Sequence, residues 1–222
     1  QGELDIEKLF KLENITENVS SVIVEPIQCT AGDIYLDIDK LKTVQKLCKK
    51  NDICFIVDEI QTGFGVTGEY WYSKKIGLNP DIIVFGKKSQ ISGIMSNDKY
   101  SEAINSEYRK LEVTFDGDLI DAVRAEYIIE AINRDKLLNS IDKKSKYINS
   151  KLSRIFDNYR SIGGMIAFDF STKQEREDFI NYSYNNHLLV NPTSEKTIRM
   201  RMNMALSDDE LDNLINKIKK NN

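Results

Sequence analysis

The run "ICFIV", residues 53–57, is continuously apolar and ends on two adjacent carboxylates, Asp58 and Glu59. A short run with no polar alternation reads as a strand buried on both faces, the kind found in parallel sheets. A turn carrying Gly63, Gly65 and Gly68 follows it. Carboxylates at the C-terminal end of such a strand stand where open α/β sheets place their chemistry. The stretch therefore predicts a layered α/β fold and marks one rim of its sheet as a site.

The neighbouring segments agree. "SVIVEP" (21–26) reads as another buried strand, and "DIDKLKTVQKLCKKND" puts Leu41, Val44, Leu47 and Cys48 at helical spacing. A short helical or irregular piece around "GEYWYSKKIG" leads to a further apolar strand, "DIIVFG", and "ISGIM" (91–95) adds one more. Strand–helix–strand repetition of this kind predicts a parallel sheet with right-handed crossovers.

After residue 118 the texture changes. Residues 118–138 and 140–159 read as two long amphipathic helices. They are followed by "GGMIAFDFS" as a strand, "KQEREDFINYSYNN" as a helix, and "HLLV" (187–190) and "TIRMRMNM" as short strands. In the last, Ile198, Met200, Met202 and Met204 alternate with Arg199, Arg201 and Asn203, which gives one buried and one polar face. Ser207 with Glu210 three residues on forms a capping box that opens a C-terminal helix. The expected division is residues 1–118, part of a large domain, and 119–222, a connecting helix with a small α+β domain.

Charge and cysteine content narrow the function classes. With 31 Lys+Arg against 35 Asp+Glu the net charge is −4, a balance that favours neither nucleic acid nor an anionic membrane. No apolar run reaches membrane-spanning length, and nothing at the N-terminus resembles a signal peptide. Cys29, Cys48 and Cys54 are odd in number and lack metal-ligand spacing, so the expectation is a reducing cytoplasmic compartment and no metal. The only histidine, His187, sits in an apolar run, where a packed or edge position is expected rather than catalysis.

An apolar strand ending in Asp-Glu has a rival meaning, the metal-holding strand of a nucleotide hydrolase. That reading needs G-x-x-x-x-G-K-[ST] upstream. "GKKS" at 86–89 lacks the first glycine and lies downstream, so the reading fails. Lys87 supports another. It follows the strand "DIIVFG", and in a parallel sheet the C-terminal ends of neighbouring strands share a rim, so Lys87 and Asp58 can face one crevice. An amine and a carboxylate so placed suit pyridoxal phosphate: the lysine forms a Schiff base, and the acid keeps the pyridine nitrogen protonated. Taken alone, a lysine after a strand is more often solvated, and Lys88 is read that way.

Four blocks in order then add a resemblance. "VDEIQTGFGVTGEYW" resembles the D-E-[VI]-Q-T-G-x-G-x-T-G segment of class III aminotransferases, pyridoxal-phosphate enzymes of fold type I. "VEPIQ", "NPDIIVFGK" and "VTFDGDLIDAVRA" stand where that family has E-P-[VI]-Q, P-D-[IVL]-x(3)-[GA]-K and T-[FW]-x-G-N. Within the family, "FGKKSQISGIM" is most similar to the lysine-specific branch, which has Lys-Lys-[ST]-Gln where most members place glycine after the reactive lysine. The implied fold is a partial large-domain, mostly parallel sheet plus a small C-terminal α+β domain. The implied reaction is transfer of the ε-amino group of L-lysine to 2-oxoglutarate. Another ω-aminotransferase acting on ornithine, acetylornithine or 4-aminobutyrate is the alternative, as is a non-catalytic fragment or split-enzyme subunit.

The resemblance assigns roles residue by residue. Lys87 is the catalytic lysine. Asp58 holds the pyridine nitrogen, Ile60 packs on a ring face, and Gln61 reaches the ring's phenolic oxygen. Thr114 touches the cofactor phosphate of the partner subunit, which implies a homodimer. Glu25 pairs with Arg199 (Arg201 being its rival), opening for a dicarboxylate and closing for an amino substrate.

There are departures. "CTAG" (29–32) replaces G-E-G-G, "DGD" (116–118) puts carboxylates beside the expected phosphate position, and "MNMA" replaces P-P-L. The chain starts at Gln1 without an initiator Met, as expected for a processed product or the second part of a longer protein. The family's phosphate cup and ring-stacking aromatic have no counterpart in it, so weak pyridoxal phosphate binding by these residues alone is expected.

Overall fold

The computed structural model describes residues 19–106, 114 and 116–219. They fall into two compact units. The first holds the described residues up to Ile27 together with Tyr35–Phe64 and Trp71–Ala131; the second holds Gln28–Ile34, Gly65–Tyr70 and the chain from Ile132 onward.

β1 (Ser21–Val24) of the first unit is followed by a small two-stranded sheet, β2 (Ile27–Gln28) and β3 (Ile34–Tyr35). Helix α1 (Ile38–Lys50) follows because Leu41, Val44 and Cys48 share one buried face, and Asp37 caps it by accepting from the Lys40 N–H at 2.9 Å. Such a cap stabilises a helix by about 1 kcal/mol. The Asn51 N–H closes the other end onto the Leu47 and Cys48 carbonyls. β4 (Cys54–Asp58) then pairs in parallel with β1, Ser21 opposite Cys54 through Val24 opposite Val57. The one-turn helix α2 (Tyr72–Lys75) precedes β5 (Ile82–Phe85), which flanks β4 in parallel on its other side. β4 is thus central, with Phe55 and Val57 buried, as its unbroken apolar run requires.

β6 (Gly93–Ser96) completes the sheet order β1-β4-β5-β6 but runs antiparallel to β5, Phe85 opposite Gly93. The connection covers only residues 86–92, whereas a parallel return needs about a dozen or more. The sheet is therefore mostly parallel, with one reversed edge. Helix α3 (Asp98–Asn105) follows.

Helix α4 (Leu119–Arg134) runs from the first unit into the second, which it enters at Ile132. The expected helix over 118–138 breaks at Lys136, whose φ of +52° lies in the left-handed region, and Leu137 opens α5 (Leu137–Leu152) instead. The helix expected over 140–159 is also shorter. Its last residues form β7 (Asp157–Ile162), joined to β8 (Met165–Asp169) by the tight turn Gly163-Gly164. Gly163 sits at φ +54°, and a Cβ there would run into the Val66 carbonyl oxygen. Glycine is required at that point.

Helix α6 (Lys173–Asn185) starts at a capping box between Thr172 and Glu175. β9 (Asn191–Thr193) and β10 (Thr197–Arg201) close an antiparallel sheet of order β7-β8-β10-β9, and α7 (Asp208–Lys219) follows the Ser207–Glu210 capping box. "HLLV" is not a strand. His187 is exposed at φ +56° just past α6, neither packed nor on an edge, and its carbonyl accepts from Lys217 Nζ at 3.4 Å. The ladder begins at Asn191, and Pro192 is accommodated because β9 is an edge strand.

This unit's core joins Ile141, Ile148 and Leu152 of α5, Ile166 and Phe168 of β8, and Phe179 of α6. Phe156 and Met202, with Ile198 and Met200 of β10 and Leu211, Ile215 and Ile218 of α7, complete it. Phe156 stacks on Phe168 at 4.0 Å between centroids, and Phe179 meets Phe168 edge-on at 5.6 Å. The alternation Ile198, Met200, Met202 is buried as its period predicts, with Met204 only half-buried.

Candidate active site

The adjacent carboxylates at the end of β4 have separate roles because successive residues of a strand point to opposite sides. Asp58 is half-buried, and one of its oxygens, Oδ1, accepts from the Ile60 N–H at 2.9 Å. Glu59 is 1% exposed. Its Oε2 accepts from Thr62 Oγ1 at 2.9 Å and from the Tyr72 N–H at 2.6 Å, and its Oε1 accepts from the Ser73 N–H at 2.7 Å. It is an internal cap for α2, set where the helix N-terminus favours negative charge. Only Asp58 is available to a ligand. Burial, and then the Glu59 carboxylate, push the Tyr72 phenol upward.

Asp58 is level with Val84 of β5, and the chain leaves β5 through Gly86 into a single 3-10 turn, Lys87–Ser89. A Cβ on Gly86 would come within 2.8 Å of Ser92 Oγ, so the bend is closely packed. Lys87 is exposed and adopts φ +56°, and its carbonyl accepts from the Gln90 N–H at 3.0 Å. Lys88 is not the solvated lysine expected from the sequence. It is half-buried, and its ammonium donates to the Gln61 carbonyl at 2.6 Å and to the Ile60 carbonyl at 3.3 Å. Ile60 and Gln61 are both half-buried in the turn after β4. Asp58, Ile60, Gln61 and Lys87 thus gather at the C-terminal rim of β4 and β5.

Two expected contributors of the first unit lie elsewhere along the chain. Glu25 is exposed just past β1. Thr114 is exposed in a turn, while residues 107–113 and 115, which include parts of the "VTFDGDL" segment, lie outside the described residues. Asp118 of "DGD" caps α4: its Oδ1 accepts from the Ile120 N–H at 2.9 Å and the Asp121 N–H at 3.0 Å.

In the second unit, three arginines converge on the loop that replaces the family's G-E-G-G. Arg199 donates from Nη1 to the Cys29 carbonyl at 3.0 Å. Arg201 grips both oxygens of Asp33 at 2.7 Å, and Asp33 is fully buried at φ +52°. Burial works against the Arg201 charge, but Asp33 outweighs it and holds the guanidinium charged. Arg160 binds the Gly32 and Asp33 carbonyls and Asp169, and Thr193 Oγ1 donates to the Cys29 and Thr30 carbonyls. Within this unit Arg201 is committed to a carboxylate and Arg199 to a single carbonyl. The local sequence does not separate the two arginines, since nothing in "CTAGD" signals that Asp33 turns inward.

The three cysteines are buried and not joined in disulfides, and burial pushes the Cys48 thiol up to about 11. Among the described residues no group of His, Cys, Asp or Glu could hold a metal ion, and no helix is long and apolar enough to cross a membrane.

The model for the family "Aminotransferase class-III" matches residues 2–221. An L-lysine-epsilon aminotransferase of Streptomyces clavuligerus is 31% identical over 205 residues, which is 87% of this chain and 45% of the relative. An acetylornithine aminotransferase of Archaeoglobus fulgidus is 32% identical over 207 residues, 90% of this chain and 53% of the relative. The solved lysine aminotransferase of M. tuberculosis superposes with a TM-score of 0.84 at 30% identity, covering 89% of this chain and 48% of that one. The chain spans about half the length of the relatives it matches. Its mixed α/β architecture with a mostly parallel sheet is theirs as well. On the family match and the shared fold, the chain belongs to the class III aminotransferases.

Proposed function

We propose that this chain carries the reacting lysine and the ring-nitrogen carboxylate of a pyridoxal-phosphate-dependent transaminase acting on L-lysine and 2-oxoglutarate. The products are 2-aminoadipate 6-semialdehyde and glutamate. The supporting observation is the position of Lys87 and Asp58 at the C-terminal ends of adjacent parallel strands. A primary amine, a carboxylate with one oxygen anchored, and the Gln61 amide on one rim form a donor set that suits this cofactor.

Pyridoxal phosphate, when bound, supplies an aldehyde that an amine condenses with and a ring that draws electrons from the substrate carbon. Asp58 anchors through Oδ1 to the Ile60 N–H, which leaves Oδ2 to hold a proton at the pyridine nitrogen. The Lys87 amine would serve as the base that takes a proton from the substrate carbon. Ile60 would pack against the ring and Gln61 would donate to its phenolic oxygen. Thr114 would serve the phosphate in the partner subunit of a cytoplasmic homodimer. Arg199 would bind the distal carboxylate of 2-oxoglutarate.

L-lysine is favoured by the Streptomyces relative, an L-lysine-epsilon aminotransferase, and by the "FGKKSQISGIM" segment. A donor such as acetylornithine is the second reading, favoured by the Archaeoglobus relative at 32% identity; ornithine and 4-aminobutyrate belong to the same class. Borohydride reduction in the presence of pyridoxal phosphate, followed by peptide mapping, tests the site. The expected result is a pyridoxyl group on Lys87, and labelling of Lys88 instead would overturn it.

A further inference from the structure

Lys88 stands beside the proposed reacting lysine, yet its ammonium is used on the protein itself. The two carbonyls it binds, Ile60 and Gln61, belong to the turn that follows Asp58. The N–H of one of them, Ile60, holds the Asp58 carboxylate. Lys88 itself belongs to the turn that presents Lys87, and that turn is closed by two further bonds. The Gln90 N–H and its Nε2 both donate to the Lys87 carbonyl, at 3.0 and 3.2 Å. Lys87 and Gln90 both adopt left-handed backbone, at φ +56° and +62°. Non-glycine residues hold that conformation only where neighbouring contacts enforce it.

We propose that Lys88 is a positioning residue. Its ammonium straps the turn after β5 to the turn after β4 and so sets the spacing between the Lys87 amine and the Asp58 carboxylate. The inference rests on the transaminase reading above. The ladder fixes Asp58 opposite Val84, but the lysine acts from the turn beyond β5, three residues past that pair, where the parallel ladder no longer fixes its position. The ammonium can serve two carbonyls at once because it carries three donors on a flexible stem. A misplacement of an ångström between reacting groups is enough to cost a large factor in rate.

The test compares Lys88→Met, which keeps the stem and removes the charge, with Lys88→Arg, which keeps the charge and the donors. In the cofactor-free protein, amide hydrogen exchange of the segment 59–63 should quicken about tenfold in Lys88→Met, while the strand amides of β4 and β5 stay unchanged. Borohydride trapping of pyridoxal phosphate on Lys87 should then need about tenfold more cofactor. Lys88→Arg should restore both. Unchanged exchange and trapping in Lys88→Met would overturn the proposal, as would quickened exchange spread over the whole sheet. A parallel Lys87→Ala sample separates this from failure of the underlying reading. Persistent trapping on another residue there would sink the transaminase site. Trapping confined to Lys87 and indifferent to Lys88→Met would sink only the strap.

Discussion

Replacing Glu59 by Gln changes one oxygen for an NH2 group and should cost far more than its size suggests. The carboxylate is 1% exposed and accepts three hydrogen bonds, from Thr62 Oγ1, the Tyr72 N–H and the Ser73 N–H. An amide has one oxygen, so its NH2 must face a backbone N–H of α2 in either orientation. One charge-assisted bond, worth about 1.5–3 kcal/mol, is lost, and a buried donor is left without an acceptor at a cost of about 1–3 kcal/mol. Allowing for partial relaxation, the loss should be about 3 kcal/mol. Trp71, the only tryptophan, immediately precedes α2 and packs near Phe64 and Phe85 at 5.6 and 6.0 Å, so its emission reports on this region. In urea, with a slope of roughly 2 kcal/mol/M, the midpoint should fall by about 1.5 M. Asp58→Asn is the control. Its amide oxygen still accepts from the Ile60 N–H in a half-exposed setting, so stability should change by less than about 0.5 kcal/mol while cofactor trapping on Lys87 falls. A Glu59→Gln midpoint within about 0.3 M of the parent, or an equal drop for Asp58→Asn, would refute the division of labour between the two carboxylates.

Three further outcomes follow from the second unit. Gly163→Ala should cost more than about 3 kcal/mol, because φ is +54° and the new Cβ meets the Val66 carbonyl and lies 2.8 Å from Thr67 Cα. A far-UV circular dichroism urea curve matching the parent would contradict that. Arg201→Met should destabilise by about 3 kcal/mol, since it leaves the fully buried Asp33 carboxylate unpaired. Arg199→Met should cost less than about 1 kcal/mol yet raise the KM for 2-oxoglutarate in the active enzyme. Equal stability losses in the same denaturation assay, or a KM shift confined to Arg201→Met, would exchange the roles of the two arginines.

What the sequence by itself determined were features set by local period and local chemistry. The unbroken apolar run of β4 required neighbours on both sides, and β1 and β5 supply them. The Leu41–Val44–Cys48 stripe made a helix face, the Ser207–Glu210 box opened α7, and Ile198–Met200–Met202 alternated into the core. Lys87 and Asp58 came to one rim because parallel strands end on the same side. The tertiary structure decided what depends on partners distant along the chain. The end of the 140–159 pattern became β7 because β8 offered a ladder across the Gly163-Gly164 turn, and "HLLV" found no ladder until Asn191. Local period could not show that Glu59 and Lys88 are bound by the protein itself; the α2 N-terminus receives Glu59 and the β4 turn carbonyls receive Lys88. Asp33 is the extreme case. Its carboxylate is buried only because Arg201, 168 residues further along the chain, arrives to pair with it, and no window of sequence around residue 33 contains that partner.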